Sequence, residues 1–256
     1  MLKHLKRHIT YLVVSYRLGK TILIDDFHLE GSKKTEEEKN KKIKRFEVIN
    51  FILKTFKEDT TYLEIGVRDP EDNFNKIMAV NKYSVDPGIE NVKNPVDFKL
   101  TSDSFFDNLE QGLLLYKEIK FHVVFIDGMH RANQVERDID NALKYLTEDG
   151  FIVLHDCNPP TEFHARENYD YKLSPAQQYW NGTVWKAFFK FRQRNDYYSC
   201  CIDSDWGIGV ISKYVDLGIP TGVNNPFFEY AIFNKKRKES LNLISFEKFK
   251  SKFKIF

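Results

Sequence analysis

Between Thr61 and Leu154, short apolar runs alternate with helix-spaced segments, and that rhythm restricts the fold more than any other feature of the chain. The strongest run is Phe121–Ile126, FHVVFI. After it come Gln134–Leu146, with Val135, Ile139, Leu143 and Leu146 on one helical face, a turn at Asp149-Gly150, and the run Phe151–Leu154. Earlier runs stand at Thr61–Ile65 and Lys82–Val85, with a weaker one at Val96–Leu100. Branched and aromatic residues suit strands. Apolar strands without in-and-out alternation, separated by helices, specify a parallel sheet covered on both faces. Two later runs, Tyr197–Ile202 and Gly207–Ser212, are joined by Asp203-Ser204-Asp205-Trp206 and read as a hairpin closing the far edge. The expected fold is α/β: a doubly wound, mostly parallel seven-stranded sheet with an antiparallel edge hairpin.

The flanks are less regular. Residues 1–30 are basic and show no clear period, and 32–45 are almost wholly charged. The charged run leads into Ile43, Phe46, Ile49, Leu53 and Phe56 at three- and four-residue spacing, which predicts one amphipathic helix with a solvated first half. Residues 157–183 are polar, aromatic and Pro-containing, and a loop of that length in a compact domain is usually functional. A helix is expected over Val184–Arg194. The tail, 234–256, is basic and sets Phe246, Phe249, Phe253 and Phe256 at helical spacing. This divides the chain into an N-terminal helical extension (1–58), a catalytic-type domain (59–215) whose loop 157–183 covers the site, and a basic, Phe-rich tail (216–256).

Bulk properties remove several function classes. A net charge of +2 on 256 residues supplies no global field for nucleic acid. The longest early apolar run, Ile9–Val14, is interrupted by Arg17 and Lys20, too soon for an integral membrane segment. Cys157, Cys200 and Cys201 are an odd set with an adjacent pair, poor material for a disulfide framework, so a cytoplasmic, reducing location is expected. The Phe stripe of the tail is expected to pack on its own domain or on a twin subunit, which makes a homodimer the candidate assembly.

Chemistry collects at the strand ends. Glu64 precedes Gly66, Asp86 ends the second run, Ser102 and Asp103 follow the third, Asp127-Gly128 the fourth and His155-Asp156 the fifth. In a doubly wound sheet these positions converge on the crevice at the carboxyl edge, where ligands bind. Gly66 lets the backbone turn sharply and approach a ligand. Asp86 stands 22 residues after Glu64, close to the roughly 20-residue spacing of an acid that accepts hydrogen bonds from ribose hydroxyls. A dinucleotide fingerprint fails, because Arg68 and Glu71 occupy the later glycine positions.

The stretches YLEIGVRDPEDNF (62–74), SVDPG (84–88), FIDGMHRANQVERDIDNALKYL (125–146), GFIVLHDCNPP (150–160), Trp180–Trp185 and DSDWGIGVI (203–211) resemble the class I S-adenosylmethionine-dependent methyltransferases. More narrowly, they resemble the bacterial small-molecule and sugar O-methyltransferase group often found with polysaccharide biosynthesis. The resemblance implies a Rossmann-like methyltransferase fold and S-adenosylmethionine as cofactor. It implies a sugar, nucleotide-sugar or similar small polar acceptor. Glu64 and Gly66 would line the methionine half, Asp86 would hold the ribose, and Ser102 and Asp103 would approach the adenine. Asp127 would face the methionine amino group or a metal. Arg68, where many members carry a second glycine, would stand in the cofactor loop.

For proton removal from the acceptor, His130 is the candidate base, with Asp127 and Asp156 orienting it or holding a hard cation such as Mg²⁺. Cys157 is a poor ligand for such an ion, and Asn158 is the substitute. His155 is as suited to a supporting role as to catalysis. Trp180, Tyr169, Tyr171 and Tyr179 offer stacking surfaces for an acceptor. Two rival readings remain: a nicotinamide-dependent oxidoreductase, disfavoured by the missing glycines, and a non-catalytic binding protein that keeps the fold.

Overall fold

A computed structural model describes residues 2–171 and 173–253, with the side chains of 2 and 3 outside the description. Seven strands form one sheet: β1 (Thr61–Ile65), β2 (Asn81–Val85), β3 (Phe121–Ile126), β4 (Leu146–Leu154), β5 (Tyr198–Ile202), β6 (Ile208–Ser212) and β7 (Leu243–Ile244). Their spatial order is β2-β1-β3-β4-β6-β5-β7. The β2-β1-β3-β4 half is parallel, β6 is antiparallel to both β4 and β5, and β7 lies parallel to β5 at the outer edge. Successive side chains leave a strand on opposite faces, so each central strand feeds two cores. Leu63, Ile65, Val124, Ile126, Ile152 and Leu154 pack with α4 (Ser102–Glu110), α5 (Ala132–Lys144) and α6 (Val184–Phe191). Tyr62, Val123, Phe125 and Val153 pack beneath α3 (Arg45–Leu53) and α9 (Phe246–Lys250). This is the doubly wound α/β sheet expected from the sequence.

Five local expectations are corrected. Val96–Leu100 is not a strand: only Phe98 bridges Val85, because the Asp97 carboxylate takes the Ser84 N–H that a paired strand would need, and the Ser84 hydroxyl with it. The Asp149-Gly150 turn lies inside β4, where the register against β3 shifts between Phe121 and Val123. The hairpin β5–β6 does not close the sheet, since β7, from the tail, adds one more strand outside it. The single helix expected over 32–56 is two, α2 (Asp26–Lys39) and α3, separated at 40–44. α2 is not merely solvated, because Thr35 and Glu38 are buried. Within the expected N-terminal helical extension, the chain begins with the 23-residue α1 (Leu2–Ile24).

The tail folds back as α7 (Tyr230–Lys235), α8 (Arg237–Leu241), β7 and α9. Phe246, Phe249 and Phe253 surround Phe51 of α3 with ring centroids 5.1–6.0 Å apart, so the stripe packs on its own domain. Phe256 lies outside the described residues. Among the described residues no helix is long and apolar enough to cross a membrane.

Candidate active site

Strands β1, β3 and β4 are neighbours and parallel, so their carboxyl ends open on one edge. The ladder runs one step past each strand: Asp127 N–H donates to the Ile65 carbonyl and His155 N–H to that of Ile126. Asp127 and His155 thus emerge side by side. Gly66, with φ of +91°, brings its Cα against Asp127 and Gly128, where any Cβ would overlap their backbone. The glycine permits two strand ends to approach each other, in addition to making the turn.

Six side chains meet here. His155 Nδ1 lies 3.1 Å from Asp127 Oδ1 and 3.3 Å from Asp156 Oδ2. His130 Nε2 lies 3.4 Å from Asp127 Oδ1, and its Nδ1 lies 3.3 Å from Asp156 Oδ2 and 3.0 Å from the Trp180 carbonyl. The remaining two come from far away in sequence. Arg45, at the start of α3, sets Nη1 3.2 Å from His155 Nε2 and 3.4 Å from Asp205 Oδ2, with its Nε 3.7 Å from Asp127 Oδ2. Asp205, between β5 and β6, also receives the Arg45 backbone N–H at 2.9 Å. It thereby satisfies one of the orphan amides of the helix start.

Around these groups the chain is taut. Asp156 has a left-handed φ of +59°, and Asn181 Nδ2 donates to its Oδ1 at 2.7 Å. Gly182, φ +60°, passes so close to His130 that a Cβ would overlap its carbonyl. Left-handed backbone at a non-glycine residue costs on the order of 1–2 kcal/mol and persists where surroundings enforce it. Trp180 stacks on His130 at 5.1 Å and 26°.

Electrostatics follow from this crowding. Burial lowers the His130 pKa, but Asp156 and Asp127 outweigh it and raise it to about 9. Burial works the same way on His155, and the same two carboxylates push it well above the usual imidazole range. Burial alone would raise Asp127, yet the charges and hydrogen bonds of His155 and His130 hold it well below the usual carboxylate range. His130 is therefore an imidazolium at neutral pH with both nitrogens facing acceptors. Asp127 and Asp156 therefore flank the imidazole on its two sides.

Donor atoms of Asp127, His130 and Asp156 lie within 4.8 Å of one another, an arrangement that fits a divalent cation. Two carboxylates suit Mg²⁺, whereas an imidazole leans toward borderline ions such as Mn²⁺. Asn158 is not the expected extra ligand: its Oδ1 accepts from Arg237 Nη1, and its amide turns to Asp203. Cys157 is buried, its thiol directed at the carbonyls of Leu154 and His155.

The expected cofactor residues divide. Glu64 is buried on the α3 face, accepting from Tyr62 Oη at 2.6 Å and Asn73 Nδ2 at 2.8 Å. Burial raises its pKa, against those two hydrogen bonds, to about 7. Asp86 is half-buried, with one oxygen accepting the Gly88 N–H and the other without a hydrogen-bond partner among the described residues. Gly66 adjoins the crevice. Arg68 does not enter it, because its exposed guanidinium pairs with Asp72, four residues on in the same loop. Ser102 and Asp103 do not follow a strand. They begin α4, capped by Thr101, and are held by Gln134 and Arg137 of α5.

A family model described as a methyltransferase domain matches residues 49–157. The match runs from within α3 through β4 and takes in Glu64, Gly66, Asp86, Asp127, His130 and Asp156. It leaves out Arg45, Asp205, Asn181 and Gly182. No curated protein matches the sequence. Among solved structures, an O-methyltransferase from Bacillus cereus in complex with SAH is 15% identical. It covers 74% of this chain and 91% of its own, with a TM-score of 0.41. An O-methyltransferase from Streptomyces achromogenes involved in tomaymycin synthesis, in complex with SAM, is 12% identical over 77% and 95%, with a TM-score of 0.42. These are loose likenesses of shape.

Loop 157–183 is held by α2 at three points. Thr35 Oγ1 of α2 lies 3.0 Å from His164 Nε2, His28 Nε2 lies 3.1 Å from the Leu173 carbonyl, and Gly31 closes on Pro175. A surface cavity of about 690 Å³, lined by the 219–224 loop, α7 and α8, shares no residue with the cluster. Pocket size therefore does not mark this site; converging titratable groups do. Arg45 and Asp205 escaped the sequence reading because neither stands at a parallel strand end, although the DSDW turn was the place to look.

Proposed function

We propose that this protein is a cytoplasmic S-adenosylmethionine-dependent O-methyltransferase whose acceptor is a sugar, nucleotide-sugar or similar small polar metabolite, in surface polysaccharide biosynthesis. The observation that carries the reading is the meeting of Asp127, His130 and Asp156 at the carboxyl edge of a sheet whose central region matches a methyltransferase domain. When bound, the cofactor supplies an electrophilic methyl group. Asp86 would hold its ribose and Gly66 would leave room for its methionine half. Glu64, turned to Tyr62 and Asn73, would act by shaping that wall.

The chain's task at the acceptor is to orient a hydroxyl and take its proton. Asp127 and Asp156 bracket His130, so the proton passes into a cluster of two carboxylates and one imidazole rather than to a lone histidine. Since His130 already carries a proton at neutral pH, it would serve as the base only after releasing that proton to solvent, and the acceptor's proton would then take its place on the ring between Asp127 and Asp156. A divalent cation held by the same three residues would lower the pKa of a bound hydroxyl. His155, Arg45 and Asp205 would fix the Asp127 and Asp156 carboxylates from behind.

The test is S-adenosylhomocysteine binding by calorimetry together with methyl transfer to a panel of sugars and nucleotide-sugars. His130→Ala should lower kcat by roughly 10²–10⁴-fold and leave cofactor affinity nearly intact. If the cation contributes, a chelator abolishes activity and Asp156→Ala is at least as damaging. Failure to bind S-adenosylhomocysteine at millimolar concentration would dispose of the cofactor, and near-wild-type turnover by His130→Ala would dispose of the cluster.

A further inference from the structure

The first helix takes no part in the site. Among the described elements, α1 makes its substantial contacts with α2 alone. Its apolar side chains stay in solvent, with Leu5, Leu12, Tyr16 and Leu23 each 60–73% exposed. Scattered exposed apolar residues are ordinary, but a continuous row is not. Leu5, Ile9, Leu12, Tyr16 and Leu23 recur at three, four or seven residues, so on an α-helix they form one stripe about 27 Å long. Lys6, Arg17 and Lys20 share a different flank, at spacings of eleven and three residues.

Charge makes the asymmetry sharper. Residues 1–24 hold five Lys and Arg and no Asp or Glu. That segment carries +5, while the whole chain carries +2, so the remainder is net −3.

We propose that α1 is an interfacial anchor that lays its apolar stripe into an anionic phospholipid surface. A helix with an apolar face, a cationic flank and no acids is what such a surface binds, by area buried and by attraction to anionic headgroups. It lies on the surface rather than through it, since the cations interrupt its apolar content. A second copy of α1 is a poor occupant. Two such helices bring like charges together with no carboxylate to offset them, and Gly19 leaves a gap in the stripe between Tyr16 and Leu23. The anchor is joined to the site: α2 contacts α1 on one side and holds loop 157–183 through Thr35 and His28 on the other. Docking α1 therefore brings the loop beside the candidate active site toward the headgroups. The proposal does not depend on the reaction assigned to that site.

The experiment is cosedimentation of the full chain with phosphatidylglycerol vesicles and with phosphatidylcholine vesicles, at low and high salt. The chain should bind the first, bind the second at least roughly tenfold more weakly, and release with salt. Replacing Lys6, Arg17 and Lys20 together by Gln should weaken binding on the order of 100-fold, at roughly fivefold per cation. Leu12→Asp should also release the protein while leaving its melting temperature unchanged, because Leu12 contributes nothing to the core. Two results would overturn the anchor. One is no binding of the wild type to anionic vesicles at low salt. The other is a lipid-free dimer that Leu12→Asp dissociates and that ignores vesicles, which would give the stripe to a second copy.

Discussion

Glu64 should make this protein less stable as pH rises, and Glu64→Gln should remove that dependence. The carboxyl is buried with Tyr62 and Asn73 as its hydrogen-bond partners, and burial raises its pKa from 4.5 to about 7. The folded state therefore binds this proton more tightly than the unfolded chain does. The stabilisation is complete below pH 4.5 and is lost as pH rises through 7. A displacement of 2.5 pKa units at 1.36 kcal/mol each is worth about 3 kcal/mol. Gln keeps an oxygen for the Tyr62 hydroxyl and carries no charge at any pH. Between pH 4.5 and 8 the variant should gain about 3 kcal/mol relative to wild type, a relative shift of roughly 6 °C in Tm for a chain of this size. Urea unfolding of both proteins at the two pH values measures it, with the difference between them isolating Glu64 from other titrating groups. A gap that stays constant across that range, or that widens in favour of the wild type, would refute the reasoning.

Three further outcomes are expected. Asp86→Ala should weaken S-adenosylhomocysteine binding at least tenfold, seen as a smaller ligand-induced rise in Tm, since saturation at 100 times Kd adds about 2.7 kcal/mol. Gly182→Ala should lower stability by about 2 kcal/mol or more in thermal unfolding, because its left-handed φ and the His130 carbonyl leave a Cβ no space. Thr35→Val should cost about 1 kcal/mol through the lost His164 hydrogen bond and should speed hydrogen exchange within 160–176 without altering the sheet.

Most of the central sheet was readable from the chain. Runs such as FHVVFI and FIVL announce buried parallel strands because their pattern is local, and the acids beyond them follow since a strand end is also local. For that reason Asp127 and Asp156 are found where expected, with His130 three residues on. The weak run Val96–Leu100 had strand-like residues, but Asp97 took the partner amide with its side chain, a choice that composition does not reveal. β7 needed tertiary structure as well, since two residues pair only after the tail has folded back on β5.

The same limit governs the site. Arg45 reaches Asp205 across 160 positions, and Lys41 reaches Asp203 across 162. No periodicity spans such distances; only α3 docking over the sheet brings these charges together. The identities of the strand-end acids belong to the sequence. Their protonation belongs to the fold, because His130 becomes an imidazolium only when two carboxylates are buried within 3.4 Å of its ring.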